Sequence, residues 1–167
     1  MSNKKKLLNS IRDAMLEYQM LHSVEKCCIT NTQIMYDILN SNYFKSLNLK
    51  PIIKAVYVIY KDNYTDIHLT GGHLIIVLNG DITYDCSYDI SSKNDILYYD
   101  NYKDFKEELS NYSQNYLIKT CLKQNIDFTN NFANKMNNGE FIITSRESYH
   151  NQLNYIENKL GFKFLMN

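Results

Sequence analysis

The chain has 167 residues, enough for one domain with its own core, and its 44% hydrophobic and 13% aromatic content fits a folded protein, not a disordered one. Eighteen basic residues balance eighteen acidic ones, so the basic excess of a nucleic-acid binder is missing. No apolar run approaches the roughly 20 residues of a membrane span and no export signal opens the chain, so we expect a cytoplasmic protein with neither nucleic acid nor membrane as partner.

One proline, Pro51, and five glycines leave no linker and no repeat, so residues 1–167 read as a single globular domain. From Lys4 to Leu21, apolar residues fall at Leu7, Leu8, Ile11, Met15, Tyr18 and Leu21, the spacing of a helix with one buried face. A second helix is predicted over Ile29–Leu39, with Ile34, Met35, Ile38 and Leu39 inward and Thr30, Asn31 and Thr32 at its start. The period then changes. Ile52–Tyr60 is β-branched and aromatic and reads as a strand. His73–Leu78 is an aliphatic strand, Asn79-Gly80 is a hairpin signal, and Asp81–Asp85 returns. Ile96–Tyr99 adds a further strand.

Helices follow at Tyr102–Leu109, Asn115–Lys123 and Thr129–Met136, then a short extended piece at Phe141–Ile143. Thr144 and Glu147 have capping-box spacing, and the last helix runs to Leu160 and stops at Gly161. Helices, then antiparallel strands, then helices predict an α+β fold, an antiparallel sheet flanked by helices.

Of the four cysteines, Cys27, Cys28, Cys86 and Cys121, no pair has C-x-x-C spacing, so a zinc ribbon is not indicated. Free thiols are then buried small hydrophobes or a nucleophile. A helix N-terminus stabilises a thiolate through its unpaired N–H groups and partial positive charge; Cys28 stands there, with Cys27 the alternative. His73, opening a strand, can take the thiol proton and return it to a leaving group. Asp85, closing the next strand, can hold the other ring nitrogen. A two-residue turn pairs Leu78 with Asp81 and His73 with Cys86. Strict alternation then puts Asp85 on the face opposite His73. A bulge, a longer turn or a frayed strand end restores the pair. His22, His68 and His150 read as exposed.

The block Gly72-His73-Leu74-Ile75-Ile76-Val77-Leu78-Asn79-Gly80-Asp81-Ile82-Thr83-Tyr84-Asp85-Cys86-Ser87, with the helix after Cys28, resembles the His-strand, turn, strand-Asp layout of papain-like and transglutaminase-like cysteine enzymes. The resemblance covers residues 25–90. It implies a papain-like or transglutaminase-like core and a Cys28-His73-Asp85 triad, with Ser87 replacing Asp85 if the vasohibin-like pattern holds. It further implies attack on an amide bond of a protein or peptide substrate, as peptidase, deamidase or transamidase, with no metal or organic cofactor. Gln19 or the backbone N–H of Cys28 would hold the oxyanion. The rival reading is a non-catalytic binding or effector protein on the same scaffold.

Overall fold

The computed structural model describes residues 3–62, 66–80, 82–111 and 119–164. The elements run α1 (Asn3–Leu21), α2 (Cys28–Leu39), α3 (Asn42–Lys45), β1 (Ile52–Asp62), β2 (Asp66–Leu78), β3 (Ile82–Tyr84), α4 (Tyr88–Ser91), β4 (Asn94–Tyr99), α5 (Tyr102–Leu109), α6 (Lys119–Asn137) and α7 (Arg146–Leu160). The fold is α+β, one antiparallel four-stranded sheet in the order β3-β2-β1-β4, flanked by helices. Among the described residues, no helix is long and apolar enough to cross a membrane.

Alternation along the strands sorts their residues onto two faces. Ile53, Ala55, Tyr57 and Ile59 of β1 join Leu74, Ile76 and Leu78 of β2 in the main core. The apolar stripes of α1 (Leu8, Ile11, Met15) and α2 (Ile34, Met35, Ile38) close on it, with Ala133 and Met136 of α6 and Ile156 of α7. The other face carries a smaller cluster, Val56, Val58, Ile75 and Val77, capped by Ile90 of α4.

Strand β2 changes phase part-way. Val56 pairs with His73 but Tyr57 pairs with Gly71, so Gly72 is an extra residue, a β-bulge. The slip lets odd-numbered Ile67 and Leu69 and even-numbered Leu74, Ile76 and Leu78 all face the main core. Gly72 has φ +86°, and a Cβ there would stand 2.3 Å from Thr129 Oγ1 and 2.6 Å from the Asn125 carbonyl oxygen. Only glycine meets both conditions.

Several elements depart from the sequence reading. Helix α2 starts at Cys28, so Thr30, Asn31 and Thr32 lie inside it, buried. The two helices predicted at Asn115–Lys123 and Thr129–Met136 are one helix over the described part, α6; residues 115–118 lie outside the described residues, as does Asp81. Phe141–Ile143 is irregular, its Ile142 N–H donating to Gln33 Oε1 at 2.8 Å. Ser145, not Thr144, caps α7, accepting from the Ser148 N–H. Leu21 is exposed, since α1 outruns the core that covers Met15 and Tyr18. Gly161 ends α7 in the left-handed conformation, as predicted.

Candidate active site

The hairpin register decides where Asp85 goes. Leu78 pairs with Ile82 and Ile76 with Tyr84, so three residues separate the strands instead of two. Continuing that register one step sets Asp85 alongside Ile75, on the face of His73. Tyr84 and Cys86 turn the other way, into the main core. The longer turn thus removes the mismatch that a two-residue turn creates.

His73, buried beside the Gly72 bulge, places Nε2 2.9 Å from Asp85 Oδ1. The contact is ion-pair close, yet the ring N–H is not aligned as a hydrogen bond and Nε2 has no hydrogen-bond partner. Asp85 is held from three sides. The Ser87 N–H donates to Oδ1 at 3.0 Å, the Tyr98 hydroxyl donates to Oδ2 at 2.7 Å, and Arg12 Nε donates to the Asp85 carbonyl at 3.0 Å. A carboxylate with both oxygens engaged is fixed in rotation, which suits it to orient an imidazole.

Cys28 is the first residue of α2, half-buried, and a free thiol. Cys27, the N-cap residue, makes no side-chain cap bond, so the first-turn N–H groups of α2 stay free of that partner. Burial lowers the His73 pKa, but Asp85 and the Cys28 thiol outweigh it and hold the ring well above the ordinary histidine value. Those two neighbours therefore favour the cationic over the neutral form of the ring, against burial.

The other candidates separate from this group. Burial, with the Asp89 charge beside it, raises the Cys27 thiol. Cys86 is sealed in the core, and burial pushes its thiol far up. Ser87 Oγ accepts from Asn31 Nδ2 at 3.1 Å, so the group beside His73 is the Asp85 carboxylate. Gln19 cannot serve an oxyanion as it stands. Its Nε2 donates to the Cys86 carbonyl (2.8 Å) and Gln152 Oε1 (3.0 Å), and its Oε1 accepts from the Tyr88 N–H (2.7 Å). His22, His68 and His150 are exposed. Cys121 lies on α6. Among the described residues, no group of three His, Cys, Asp or Glu could hold a metal ion.

No protein-family model, no curated protein and no solved structure matches this chain.

Side chains that sequence reasoning passed over build the frame of this group. Gln152 Nε2 donates to Asn31 Oδ1 at 2.8 Å and Gln152 Oε1 accepts from Gln19, so a buried chain runs Gln19–Gln152–Asn31–Ser87. It ties α1, α7 and α2 to the segment that carries Asp85. Asn31 lies one helical turn after Cys28, so the element bearing the thiol and the loop bearing the carboxylate share one fully bonded network. Such a network fixes relative position because each broken bond leaves a buried polar group unpaired. Thr30 adds a second tie, accepting from the N–H groups of Thr144 (2.8 Å) and Ser145 (3.1 Å). The Lys26 N–H donates to Asp89 Oδ2 at 3.0 Å and anchors the turn ahead of Cys28.

A signal for part of this network was present in the sequence. Gln152 falls between Tyr149 and Ile156 on the buried stripe of α7, and Gln19 follows Met15 and Tyr18 on that of α1. A glutamine inside an apolar stripe implies a buried partner. Tyr98 had no such local mark. Its position depends on pairing with Val58 across the sheet.

Proposed function

We propose that this chain is a cysteine-nucleophile enzyme acting on an amide bond of a protein or peptide, as hydrolase or acyltransferase. One observation carries the reading: a single buried imidazole stands 2.9 Å from a fixed carboxylate on one nitrogen and has a thiol at a helix start as its other neighbour. The layout resembles that of papain-like and transglutaminase-like enzymes. Cys28, Cys27 and Cys86 are free thiols, which fits a reducing compartment such as the cytoplasm.

In this mechanism the Cys28 thiol gives its proton to His73, and the sulfur attacks the carbonyl carbon. The C–N bond breaks as His73 returns that proton to the departing amine, leaving a thioester. Water or a second amine then attacks the thioester, loses a proton to His73, and Cys28 leaves as a thiolate that is reprotonated. Asp85 keeps the ring in one orientation and stabilises its cationic form. The backbone N–H groups at the start of α2 are the nearest donors for the developing oxyanion. Gln19 takes no part, because its amide is spent inside the network.

Iodoacetamide titration with peptide mapping tests the reading. A free cysteine is about 3% thiolate at pH 7, so a thiol whose proton has passed to His73 reacts up to roughly 30-fold faster. One fast site at Cys28 is expected, retained in Cys27→Ser and slowed roughly 30-fold in His73→Ala. Equally slow alkylation of all four cysteines, or a fast phase indifferent to His73, would leave the non-catalytic reading in its place.

A further inference from the structure

Behind the proposed triad, on the sheet face away from the main core, lies an open cleft of about 480 Å³. That is a usual size for a small-molecule site. Its floor is aliphatic, made by Val56, Ile75 and Val77, and its rim is polar, with Arg12, Thr83 and Tyr98. Asp85, only 5% exposed, also lines it. The carboxylate is therefore shared, with Oδ1 toward His73 and Oδ2 on the Tyr98 hydroxyl at the cleft wall.

The charges around the cleft do not cancel evenly. Asp85 is committed to His73, and Asp100 lies 3.7 Å from Lys54. Among the described residues Arg12 remains without a carboxylate in ion-pair contact, its Nε spent on a neutral backbone carbonyl. Its charge acts on Tyr84, Cys86 and Tyr98 alike. A guanidinium without an ion-pair partner among the described residues, over an aliphatic floor, suits one carboxylate with a short branched body, the guanidinium fork taking the anion.

We propose that this cleft binds a short-chain monocarboxylate and that the bound molecule acts on the triad through Asp85. A ligand that draws the Tyr98 hydroxyl toward itself frees Oδ2 of the Asp85 carboxylate, and one that draws Arg12 frees the Asp85 backbone carbonyl; either loosens the residue that orients His73. The binding stands on the cleft alone; the coupling rests on the Cys28–His73–Asp85 reading.

Isovalerate, titrated into the full chain and followed by amide NMR shifts, tests both parts. Saturable binding with Kd on the order of 1 mM is expected, and neutral isovaleramide should not bind. Arg12→Gln and Thr83→Phe, which removes the cation and fills the cleft respectively, should each weaken binding about tenfold or more. Cys28→Ala should leave it unchanged. Unsaturable shifts, undiminished binding in both cleft variants, or loss in Cys28→Ala would overturn the site. Saturating isovalerate should also change the Cys28 alkylation rate about fivefold or more, and not in Thr83→Phe. An unchanged rate with ligand bound overturns the coupling. If no cysteine is selectively reactive, the enzymatic reading fails on its own while the titration still decides the cleft.

Discussion

The two faces of the sheet are built by the same strands and do different work. The face under α1, α2, α6 and α7 is a continuous hydrocarbon layer in which Leu74 and Ile76 are fully buried. The opposite face has four aliphatic residues and one helical cap, and it carries His73, Asp85 and Tyr98. The first face supplies stability. The second is thin enough to hold polar groups that reach a cleft and a helix start. Polar chemistry needs a rigid support and a low-dielectric wall, and a sheet with one heavy face and one light face provides both.

The Gly72 bulge is where that division is enforced, so breaking it should have the largest effect. Gly72→Ala forces a Cβ against Thr129 and the Asn125 carbonyl at a left-handed backbone position. Backbone strain and overpacking together should cost about 3 kcal/mol or more, read from the denaturation midpoint. Thr129→Ala in the same chain should recover only part of the loss, because the Asn125 carbonyl remains. Full recovery would mean the backbone there is looser than its contacts indicate.

A pair of truncations on adjacent residues sharpens the contrast between faces. Ile76→Ala opens a cavity in the main core and should cost about 3–4 kcal/mol. Val77→Ala, one residue on, removes methyl groups that border the open cleft and should cost about 1 kcal/mol. Equal costs in urea unfolding would show that the second face is packed as tightly as the first.

The sequence made some of this plain and hid the rest for physical reasons. The span Tyr102–Leu109 and the glycine stop at Gly161 were legible because local patterning and capping decide them. Cys28 and Asp85 were legible as residue types at element ends, but His73, read as opening a strand, stands seven residues past the start of β2, because the strand continues back through the Gly72 bulge to Asp66. The meeting of the three was not legible, because it depends on one residue of hairpin register and one bulge. The inversion from Ile67 and Leu69 to Leu74, Ile76 and Leu78 does stand in the sequence, across Gly71-Gly72, as a change of alternation phase. Helix α6 was split because Gln124–Phe128 holds weak helix formers; Ile126, Ala133 and Met136 pack on the main core and carry the helix through. The four-residue α3 and α4 have no periodicity to read. The Thr144–Glu147 spacing misled because the Thr144 N–H and hydroxyl both engage Thr30 instead.

The smallest expected effect is a pH dependence set on the light face by the His73–Asp85 pair. His73 has its folded-state pKa raised above the ordinary histidine value, since Asp85 and Cys28 outweigh burial. Its contribution to stability is therefore complete below about pH 6.5, where the unfolded ring is also protonated, and is lost as pH rises through the elevated folded value. Cys28 is one of the two neighbours that raise that value, so the measurement keeps Cys28 in place. Unfolding midpoints of the native chain and His73→Gln should converge as pH rises above about 6.5, with a differential slope no steeper than about 1.4 kcal/mol per pH unit, the limit for one proton. Parallel curves would mean that His73 is neutral in the folded protein, and that its 2.9 Å approach to Asp85 is a contact between an imidazole and a carboxylate that do not share a charge.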